Sequence, residues 1–417
     1  AVVIDGVQQS SPNQITQELF DVQQIEFLKG PQGALYGRNA LGGAINIVTR
    51  KPGDFLEGSV QASYAAGEDY KIGGYISTPL GDNAGLRLAA SYRNREGQIF
   101  NPTVGDHVDF DETLNLRGSL LVRPSSAVTI DVTGSYLDQK GGAAYYAYGE
   151  PNKPKEPVIG NIRGIGKRKL GDVSVKVEVD AGAVRFQSVS AYASVRSSIY
   201  EDLEWTPLDL LAAEQPLSVD AYTQEFRVSS NDTAARLRWV FGLYYLHTRQ
   251  KVTTIVLGQP DLTGLPDPVP LSTLSVRDRN NAYAAFGQVV YEIADNLELT
   301  AALRYDIDRR RSTDLAPLSP TDPTEFRATF KSLQPKLSLG YKLPGGNLLY
   351  ATAAKGFRSG GFNNNAVVTR QFEKEELWNY ELGFKTVLAH RKLFVNGAVF
   401  YTPIENRQVY GVRLDVG

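Results

Sequence analysis

A run of glycines between residues 30 and 43 is the part of the chain whose composition first suggests chemistry, because glycine-rich loops can cradle phosphate groups. The run has neither the G-x-x-x-x-G-K-[ST] spacing of a nucleotide-binding loop nor the G-x-G-x-x-G spacing of a dinucleotide site. Glycine also supplies positive φ angles and lets another part of the chain approach closely. The run therefore predicts a tightly folded segment rather than a nucleotide site.

Residues suited to metal binding or covalent catalysis are few. The chain has no cysteine, and its three histidines, His107, His247 and His390, are far apart and share no ligand spacing. No nucleophile stands beside a base in a recognisable arrangement. The net charge of −2 gives no argument for nucleic acid, which needs a basic patch. We therefore expect no metal site, no cofactor, no nucleic acid partner and no enzymatic activity.

Hydrophobic alternation with a period of two dominates the chain from about Gly58 onward. It is clearest in residues 86–93, 114–123, 128–133, 173–180, 297–306 and 336–342. Successive side chains of a strand point to opposite faces, so each of these segments has one apolar and one polar face. Counting such segments gives roughly 15–16 strands at a spacing of ~20–24 residues.

The connections between these strands alternate in length. Short turns lie near residues 81–83, 124–126, 294–296 and 344–346, and long loops lie near 96–110, 140–165, 203–217, 256–274, 312–325 and 359–372. Short turns at one end and long loops at the other are typical of an antiparallel transmembrane β-barrel. A soluble β-sandwich or lectin-like array would explain the alternation but not the one-sided loop lengths. The sequence contains no run of about 18 apolar residues, so it predicts no transmembrane helix.

The first 57 residues form a separate unit, with short strand patterns at residues 2–7, 25–29 and 44–49. A unit of this size with so few apolar residues barely stabilises itself, so we expect it to need an enclosing partner. The fold class that we predict is an all-β membrane protein. In it, residues 1–57 belong to an α+β plug inside the lumen of a β-barrel formed by residues 58–417.

Four segments in the same order resemble the TonB-dependent receptors of Gram-negative outer membranes: residues 25–52, 224–230, 355–363 and 378–385. The resemblance extends over essentially the whole chain. It implies a barrel of about 22 strands in full, whose last strands we expect to follow Gly417. It also implies a signal peptide, a TonB box and the first half of the plug, which we expect to precede Ala1.

The function that this resemblance implies is active uptake of a scarce ligand through the outer membrane, powered from the inner membrane through TonB, ExbB and ExbD. An iron–siderophore complex is the ligand that the family favours, while carbohydrate, cobalamin, aromatic and terpenoid ligands stay open. A passive porin and a soluble β-rich binding protein are the alternatives from other classes. The expected partners are TonB, outer-membrane lipid with lipopolysaccharide, and a small-molecule ligand such as a ferric siderophore.

A latch between plug and barrel follows from the resemblance and from strand parity. In related receptors a basic residue at the plug position of Lys29 pairs with a glutamate of the barrel, and Glu381 matches that position. Alternation places Glu381 and Glu225 on the lumenal face. We expect Lys29, Arg38, Glu225 and Glu381 to hold the plug through several hydrated pairs, each of them weak.

Five loop residues are candidate ligand contacts. Tyr145, Tyr146 and Tyr148 lie in a long loop, where a tyrosine offers contact area and a hydroxyl at a low entropy cost. Arg358 and Phe362 lie where a strand enters another long loop. These two residues are either a rim arginine and an interfacial aromatic or ligand contacts on the outer vestibule.

Overall fold

The computed structural model describes residues 1–15, 18–147, 156–317, 319–321, 324–363, 370–388 and 392–409. Nearly all of the regular structure in these residues is β-strand, with three helices of one turn each. Among the described residues, none of the helices is long and apolar enough to cross a membrane.

The N-terminal unit is a small mixed sheet with two short helices. Its elements are β1 (Val2–Ile4), β2 (Val7–Gln8), α1 (Pro12–Ile15), β3 (Val22–Lys29), α2 (Gly33–Tyr36) and β4 (Gly43–Thr49). The strand order is β2-β1-β4-β3, with β1 parallel to β4 and the other pairs antiparallel. The three strand patterns predicted between residues 2 and 49 are confirmed. We refer to this unit as the plug.

A single antiparallel sheet of 16 strands follows the plug. Its path consists of β5 (Glu57–Ala65), β6 (Asp69–Pro79), β7 (Ala84–Arg95), β10 (Asp111–Ser125), β11 (Val128–Gly141), β12 (Ile165–Ala181), β13 (Val184–Asp202), β14 (Leu211–Ser230), β15 (Leu237–Gly258), β16 (Val269–Ala294), β17 (Leu297–Asp314), β18 (Glu325–Leu343), β19 (Asn347–Arg358), β22 (Glu375–Leu388) and β23 (Leu393–Tyr401). The remaining elements are β8 (Phe100–Asn101), β9 (Asp106–His107), α3 (Pro260–Thr263), β20 (Gly361–Phe362), β21 (Gln371–Phe372) and β24 (Ile404–Glu405), the last paired with β22.

The large sheet curls around the plug. Laid flat, a sheet of this many strands would be about 70 Å wide, because neighbouring strands lie about 4.8 Å apart. A compact unit of about 50 residues is only about 25 Å across. Nevertheless the plug contacts Lys71 of β6, Arg168 of β12 and the carbonyl of Phe357 in β19. One small unit reaches all three strands only when the sheet curls around it. The described sheet is therefore a barrel that is open between its edge strands β5 and β23, and the plug lies inside it.

Burial in the barrel is inverted relative to a soluble protein. On β7, Arg87, Ala89 and Ser91 are buried, whereas Leu88 and Tyr92 are exposed. The polar face of each strand therefore points into the lumen against the plug, and the apolar face points outward. An outward apolar surface bounded by aromatic rings is the arrangement that contacts lipid. The alternation predicted for residues 86–93 is thus confirmed.

The connections between strands separate the two ends of the barrel, which we name the turn end and the loop end. Every short turn predicted from the sequence joins two strands at the turn end. Two loops are shorter than predicted, because β14 already begins at Leu211 and β15 continues to Gly258. The predicted loop bounds of 203–217 and 256–274 were wrong there. These strands continue their hydrogen-bonded ladder beyond the apolar zone, where both faces are wet and the alternation fades.

Candidate functional site

Glycines of the segment 30–43, which the sequence predicts to be tightly folded, let the plug lie close to the barrel. Helix α2 begins at Gly33, and a Cβ placed there would lie 2.0 Å from Oε1 of Gln334 in β18. Gly37 ends the helix with a φ of +78°, and a Cβ there would lie 2.8 Å from Nη2 of Arg304 in β17. Both positions therefore need the absence of a side chain, which lets α2 lie directly against the barrel. Gln334 and Arg304 in turn hydrogen-bond Asp306.

Arg38, the residue after this helix cap, forms an ion pair with the barrel. Its Nη1 lies 2.9 Å from Oδ2 of Asp308, and both side chains are buried. Arg310 contacts the same carboxylate oxygen at 3.1 Å. The backbone N–H of Asn39 donates to the carbonyl of Phe357 at 3.2 Å. The end of the glycine-rich segment is therefore fixed to β17 and β19.

A second buried ion pair lies on the opposite side of the lumen. Arg87 of β7 donates from Nε and Nη2 to both carboxylate oxygens of Asp21, at 2.9 and 2.5 Å. Its Nη1 donates to Glu57 at 3.1 Å, and its guanidinium lies 3.8 Å from the ring centre of Tyr75. Such a bidentate pair fixes direction as well as distance. Asp21 of the plug is thereby oriented by Arg87, whose guanidinium is itself held by Glu57 and Tyr75.

Further polar contacts surround the plug between these two ion pairs. Lys51 lies 2.7 Å from Asp131 of β11 and 3.7 Å from Asp5 of the plug. Arg117 of β10 donates to the carbonyl of Phe20 at 2.9 Å, and Lys71 pairs with Glu18. The plug is therefore held by directed polar bonds distributed over the barrel and not by a shared apolar core.

The structure places the predicted latch residues as follows. Glu381 faces the plug beside Gly30, and its carboxylate accepts hydrogen bonds from Tyr350 at 2.6 Å and Asn379 at 3.4 Å. Lys29 is exposed at the end of β3, and within the described residues no ion pair to it is recorded. The pairing of Lys29 with Glu381 therefore stays a prediction.

Glu225 faces a gap between the plug and the barrel. Its nearest charged partner is Arg227 of the same strand, at 2.5 Å. The gap has a volume of about 310 Å³ and is lined on the plug side by Val3, Leu35 and Tyr36. Burial raises the pKa of Tyr36, and the neighbouring charge of Glu26 raises it further. A space of this volume holds several water molecules, so the polar contacts next to it are hydrated.

The predicted tyrosines lie in the long loop between β11 and β12. Tyr146 is largely exposed and meets Trp205 of the next loop edge-on, with ring centres 4.9 Å apart. Tyr145 is exposed to a smaller extent. Tyr148 lies outside the described residues.

The other predicted contact pair lies on a different side of the loop end. Phe362 belongs to the short hairpin of β20 and β21, and its ring centre is 6.2 Å from that of Phe326. The guanidinium of Arg370 lies 4.4 Å from the same Phe326 ring. Arg358 is exposed at the end of β19. Among the described residues no contact joins this group to Tyr145 or Tyr146, so the two groups border the same opening from separate loops.

One histidine lies near acidic residues. The ligand atoms of Glu96, Asp106 and His107 lie within 4.8 Å of one another, but Arg163 already pairs with Asp106 at 2.8 Å. His247 bonds Asn281 on the outer face of the barrel at 2.9 Å. His390 lies outside the described residues. A bound cation at the first group would have to displace the arginine, so we assign no metal site there.

The strongest plug contacts escaped the sequence-based prediction. Arg87, Asp21, Asp131 and Asp308 were not among the predicted site residues. Parity gives a signal for three of them, because a charged residue at a lumenal position must face either water or the plug. The pairing itself is not in the sequence, since it depends on how the plug is rotated within the barrel.

Comparison with known proteins supports this architecture. The family model for the TonB-dependent receptor plug domain matches residues 1–44, and the model for the TonB-dependent receptor-like β-barrel matches residues 44–416. The pesticin receptor of Yersinia pestis is 26% identical over 98% of this chain and 59% of its own length.

Solved structures give the same fold. The ferric yersiniabactin uptake receptor of Yersinia pestis superposes with a TM-score of 0.86 at 23% identity, covering 98% of this chain and 63% of that chain. A siderophore receptor of Acinetobacter baumannii gives 0.76 at 17% identity, covering 96% and 64%. This chain thus spans about three fifths of the length of its relatives. Since family models match the plug and the barrel along nearly the whole chain, the protein belongs to the TonB-dependent receptor family.

Proposed function

We propose that this chain forms part of the plug and most of the barrel of a transporter that imports a ferric siderophore complex, driven by TonB. The family consists of receptors and transporters rather than enzymes, and its members lie in the outer membrane of Gram-negative bacteria, as this protein does. The observation that carries the proposal is the filled lumen, because a plug held by buried ion pairs blocks passive diffusion.

Opening such a lumen requires energy. Moving the plug separates the buried ion pairs Arg38–Asp308 and Arg87–Asp21 together with the hydrogen bonds around them. The outer membrane has no nucleotide supply, so the work must arrive through a protein that reaches it from the inner membrane. TonB, energised by ExbB and ExbD, supplies that force in our proposal. Polar contacts next to a gap that holds water can exchange their partners for water. Such contacts keep the plug in place at rest and allow it to move when it is pulled.

The loop end favours a ligand with aromatic and anionic groups. The exposed ring of Tyr146 and the half-buried ring of Trp205 lie on one side, and Phe362 with Arg370 offers a ring and a cation on the other. Aromatic rings give contact area, and a guanidinium binds carboxylate or phenolate oxygens. The relatives described as a ferric yersiniabactin uptake receptor and as a siderophore receptor support a ferric siderophore as the ligand. We propose Tyr145, Tyr146, Tyr148, Arg358 and Phe362 as its contacts.

We also propose that Lys29, Arg38, Glu225 and Glu381 act together as a latch. Arg38 supplies a buried pair to the barrel. Glu381 lies beside Gly30, the residue that follows Lys29, and this proximity supports a pairing of the two charges. We further propose that the plug ends and the barrel begins at about residue 57, where β5 starts.

Uptake of radioactive iron tests the proposal. The full-length gene is deleted and restored in strains with and without functional TonB, and cells receive ferric siderophores of several chemical types. We expect uptake of at least one complex that requires both the gene and TonB. Uptake that persists without TonB would instead identify a passive porin. Gene-dependent uptake of cobalamin or a carbohydrate, with no iron complex transported, would assign the other ligand class.

A further inference from the structure

Four arginines lie side by side on the barrel. Arg249 of β15, Arg279 of β16, Arg311 of β17 and Arg327 of β18 are direct partners in the strand ladders. They therefore form one row across four adjacent strands, which we call the arginine row. Side chains directly opposite each other in antiparallel strands have Cβ atoms about 4.5–5.5 Å apart.

The arginine row points away from the lumen. On β15, Leu246 and Thr248 are buried against the interior, so Arg249 is on the outer face with Tyr245. On β16, Ala282 is buried in the same way, and Arg279 shares the outer face with Tyr283. The plug therefore has no part in holding these guanidinium groups.

The row has fewer acidic neighbours than arginines, because Asp220, which lies opposite Arg249 in the ladder, pairs with Arg196. Glu325 pairs with both Arg311 and Arg327. Within the described part of the chain no ion pair is recorded for Arg249 or Arg279, and Nε of Arg279 is buried without a hydrogen-bond partner. Like charges placed directly opposite one another in a sheet are destabilising. An anion bound between the guanidinium groups would remove this repulsion.

A basic groove continues the row along the outer face. It has a volume of about 420 Å³ and is lined by Lys167, Lys169, Arg196 and Lys251. Asp138 pairs with Lys169 at 3.2 Å and Asp220 with Arg196 at 2.8 Å. Lys251 lies opposite Arg277 in the ladder, so the groove and the arginine row form one cationic band.

The height of this band relative to the membrane follows from the tyrosines beneath it. The rings of Tyr222, Tyr245 and Tyr283 form a contiguous cluster, with centres 6.3 and 5.2 Å apart. Tyrosine clusters of this kind mark the boundary between hydrocarbon and headgroups. Arg279 lies two outward positions nearer the loop end than Tyr283, which is about 10 Å above it for a strand tilted by about 40°. The band therefore lies at headgroup height on the loop side.

We propose that the arginine row and its groove bind the phosphate groups of lipopolysaccharide in the outer leaflet. Guanidinium groups bind phosphate oxygens through paired hydrogen bonds, and several in a row match a lipid that carries more than one phosphate. The acyl chains of the same molecule then lie on the apolar face below the tyrosines. This site is separate from the ligand path through the lumen.

Lipid binding by the purified full-length protein tests this site. The protein is titrated in nanodiscs of phosphatidylcholine containing diphosphoryl lipid A, and bound lipid is counted by native mass spectrometry. The variant Arg249→Gln/Arg279→Gln should bind about thirtyfold more weakly, since each basic side chain at an anionic membrane surface contributes about 1 kcal/mol. The matched control Arg236→Gln/Lys342→Gln removes the same charge at the turn end and should bind like the parent protein.

Two further arms identify the source of the phosphate. Dephosphorylated lipid A should lose most of the binding, and inorganic phosphate at the same phosphate concentration should not displace the lipid. Equal binding by the parent and the arginine variant, or an equal loss in the control, would overturn the proposal, as would displacement by inorganic phosphate. Retained heat-modifiability on electrophoresis shows that each variant is folded. The assay involves no transport, so its outcome is independent of the proposed import.

Discussion

Arg87 and Asp21 join the barrel to the plug through two parallel hydrogen bonds, with both side chains almost completely withdrawn from solvent. Arg87→Gln should destabilise the docked plug by about 3–5 kcal/mol, because it leaves the buried Asp21 carboxylate without its partner. The parent chain has no cysteine, so a single cysteine placed in the plug gives a clean labelling rate. We expect that rate to rise strongly in the variant.

A matched pair on the same barrel serves as the control for this change. Arg185 and Asp180 form an exposed ion pair at 2.6 Å, and exposed pairs contribute about 1 kcal/mol or less. Arg185→Gln should leave plug labelling unchanged. If both variants label at the parent rate, Arg87 does not hold the plug.

The close contact between Pro31 of the plug and Gly356 of β19 allows the plug to be locked. A Cβ at Gly356 would lie 3.3 Å from Cβ of Pro31, which is near the range of about 3.5–4.5 Å found in disulfides. Pro31→Cys/Gly356→Cys should abolish TonB-dependent uptake when oxidised and regain it after reduction. Each single cysteine variant is the control. Full transport by the oxidised double variant would show that this side of the plug does not move.

The approach of Gly33 to Gln334 predicts a compensating pair of substitutions. Gly33→Ala places a methyl group against the amide of Gln334 and should shift helix α2 away from β18. Shortening the opposing side chain in Gly33→Ala/Gln334→Ala should restore part of the lost stability, because the clash is with a side chain rather than with backbone. Thermal unfolding of the two single variants and the double variant measures the coupling between them. Strictly additive effects would contradict this contact.

The edge-on pair of Tyr146 and Trp205 should take part in ligand capture at the loop end. Tyr146→Ala and Trp205→Ala should each weaken binding of the transported complex by about tenfold, since a central aromatic contact is often worth more than 1 kcal/mol. The control is Tyr64→Ala, which disrupts another pair with ring centres 4.9 Å apart on an exposed hairpin. Fluorescence titration with the purified protein compares the three variants. An equal loss in all of them would remove the loop pair from the ligand site.

Asp109 gives the loop between β7 and β10 a dependence on pH. Burial alone would raise the pKa of Asp109, but the backbone N–H groups of Gln98 and Ile99 donate to its carboxylate and hold the pKa below its ordinary value. A carboxyl group whose folded pKa is lowered stabilises the fold above its unfolded pKa of about 3.9 and loses that effect as the pH falls through the folded pKa. The protection of the amides of residues 98 and 99, measured as their exchange rate relative to an unstructured peptide at the same pH, should therefore fall in acid.

The neutral variant Asp109→Asn provides the comparison for this pH effect. Its amides at residues 98 and 99 should be less protected than those of the parent at pH 7, and that protection should change little on acidification. Parallel acid profiles in the two proteins would assign the pH dependence to another group.

The general architecture was predictable because it rests on a local rule. Alternation alone assigned Arg87 and Leu88 to opposite faces, and the structure confirms both assignments. The partner of each lumenal charge was not predictable, because Arg87 and Asp21 are brought together by the rotation of the plug and not by sequence spacing. Strand ends at the loop end were also missed. Leu211 begins a strand where both faces are wet, so no period-two signal marks it.

The length of β16 determines how far the barrel extends beyond the membrane. A membrane-spanning strand needs about 9–11 residues, whereas β16 has 26. The surplus forms a hydrogen-bonded collar that rises above the outer leaflet and holds the loops of the loop end away from it. Large molecules that arrive from the medium, such as antibodies or bacteriocins, would therefore contact hydrogen-bonded strands rather than loops over much of the height of the collar. Epitopes for surface display should therefore be inserted in the loops above the collar, where a change of sequence does not interrupt the hydrogen bonds between strands.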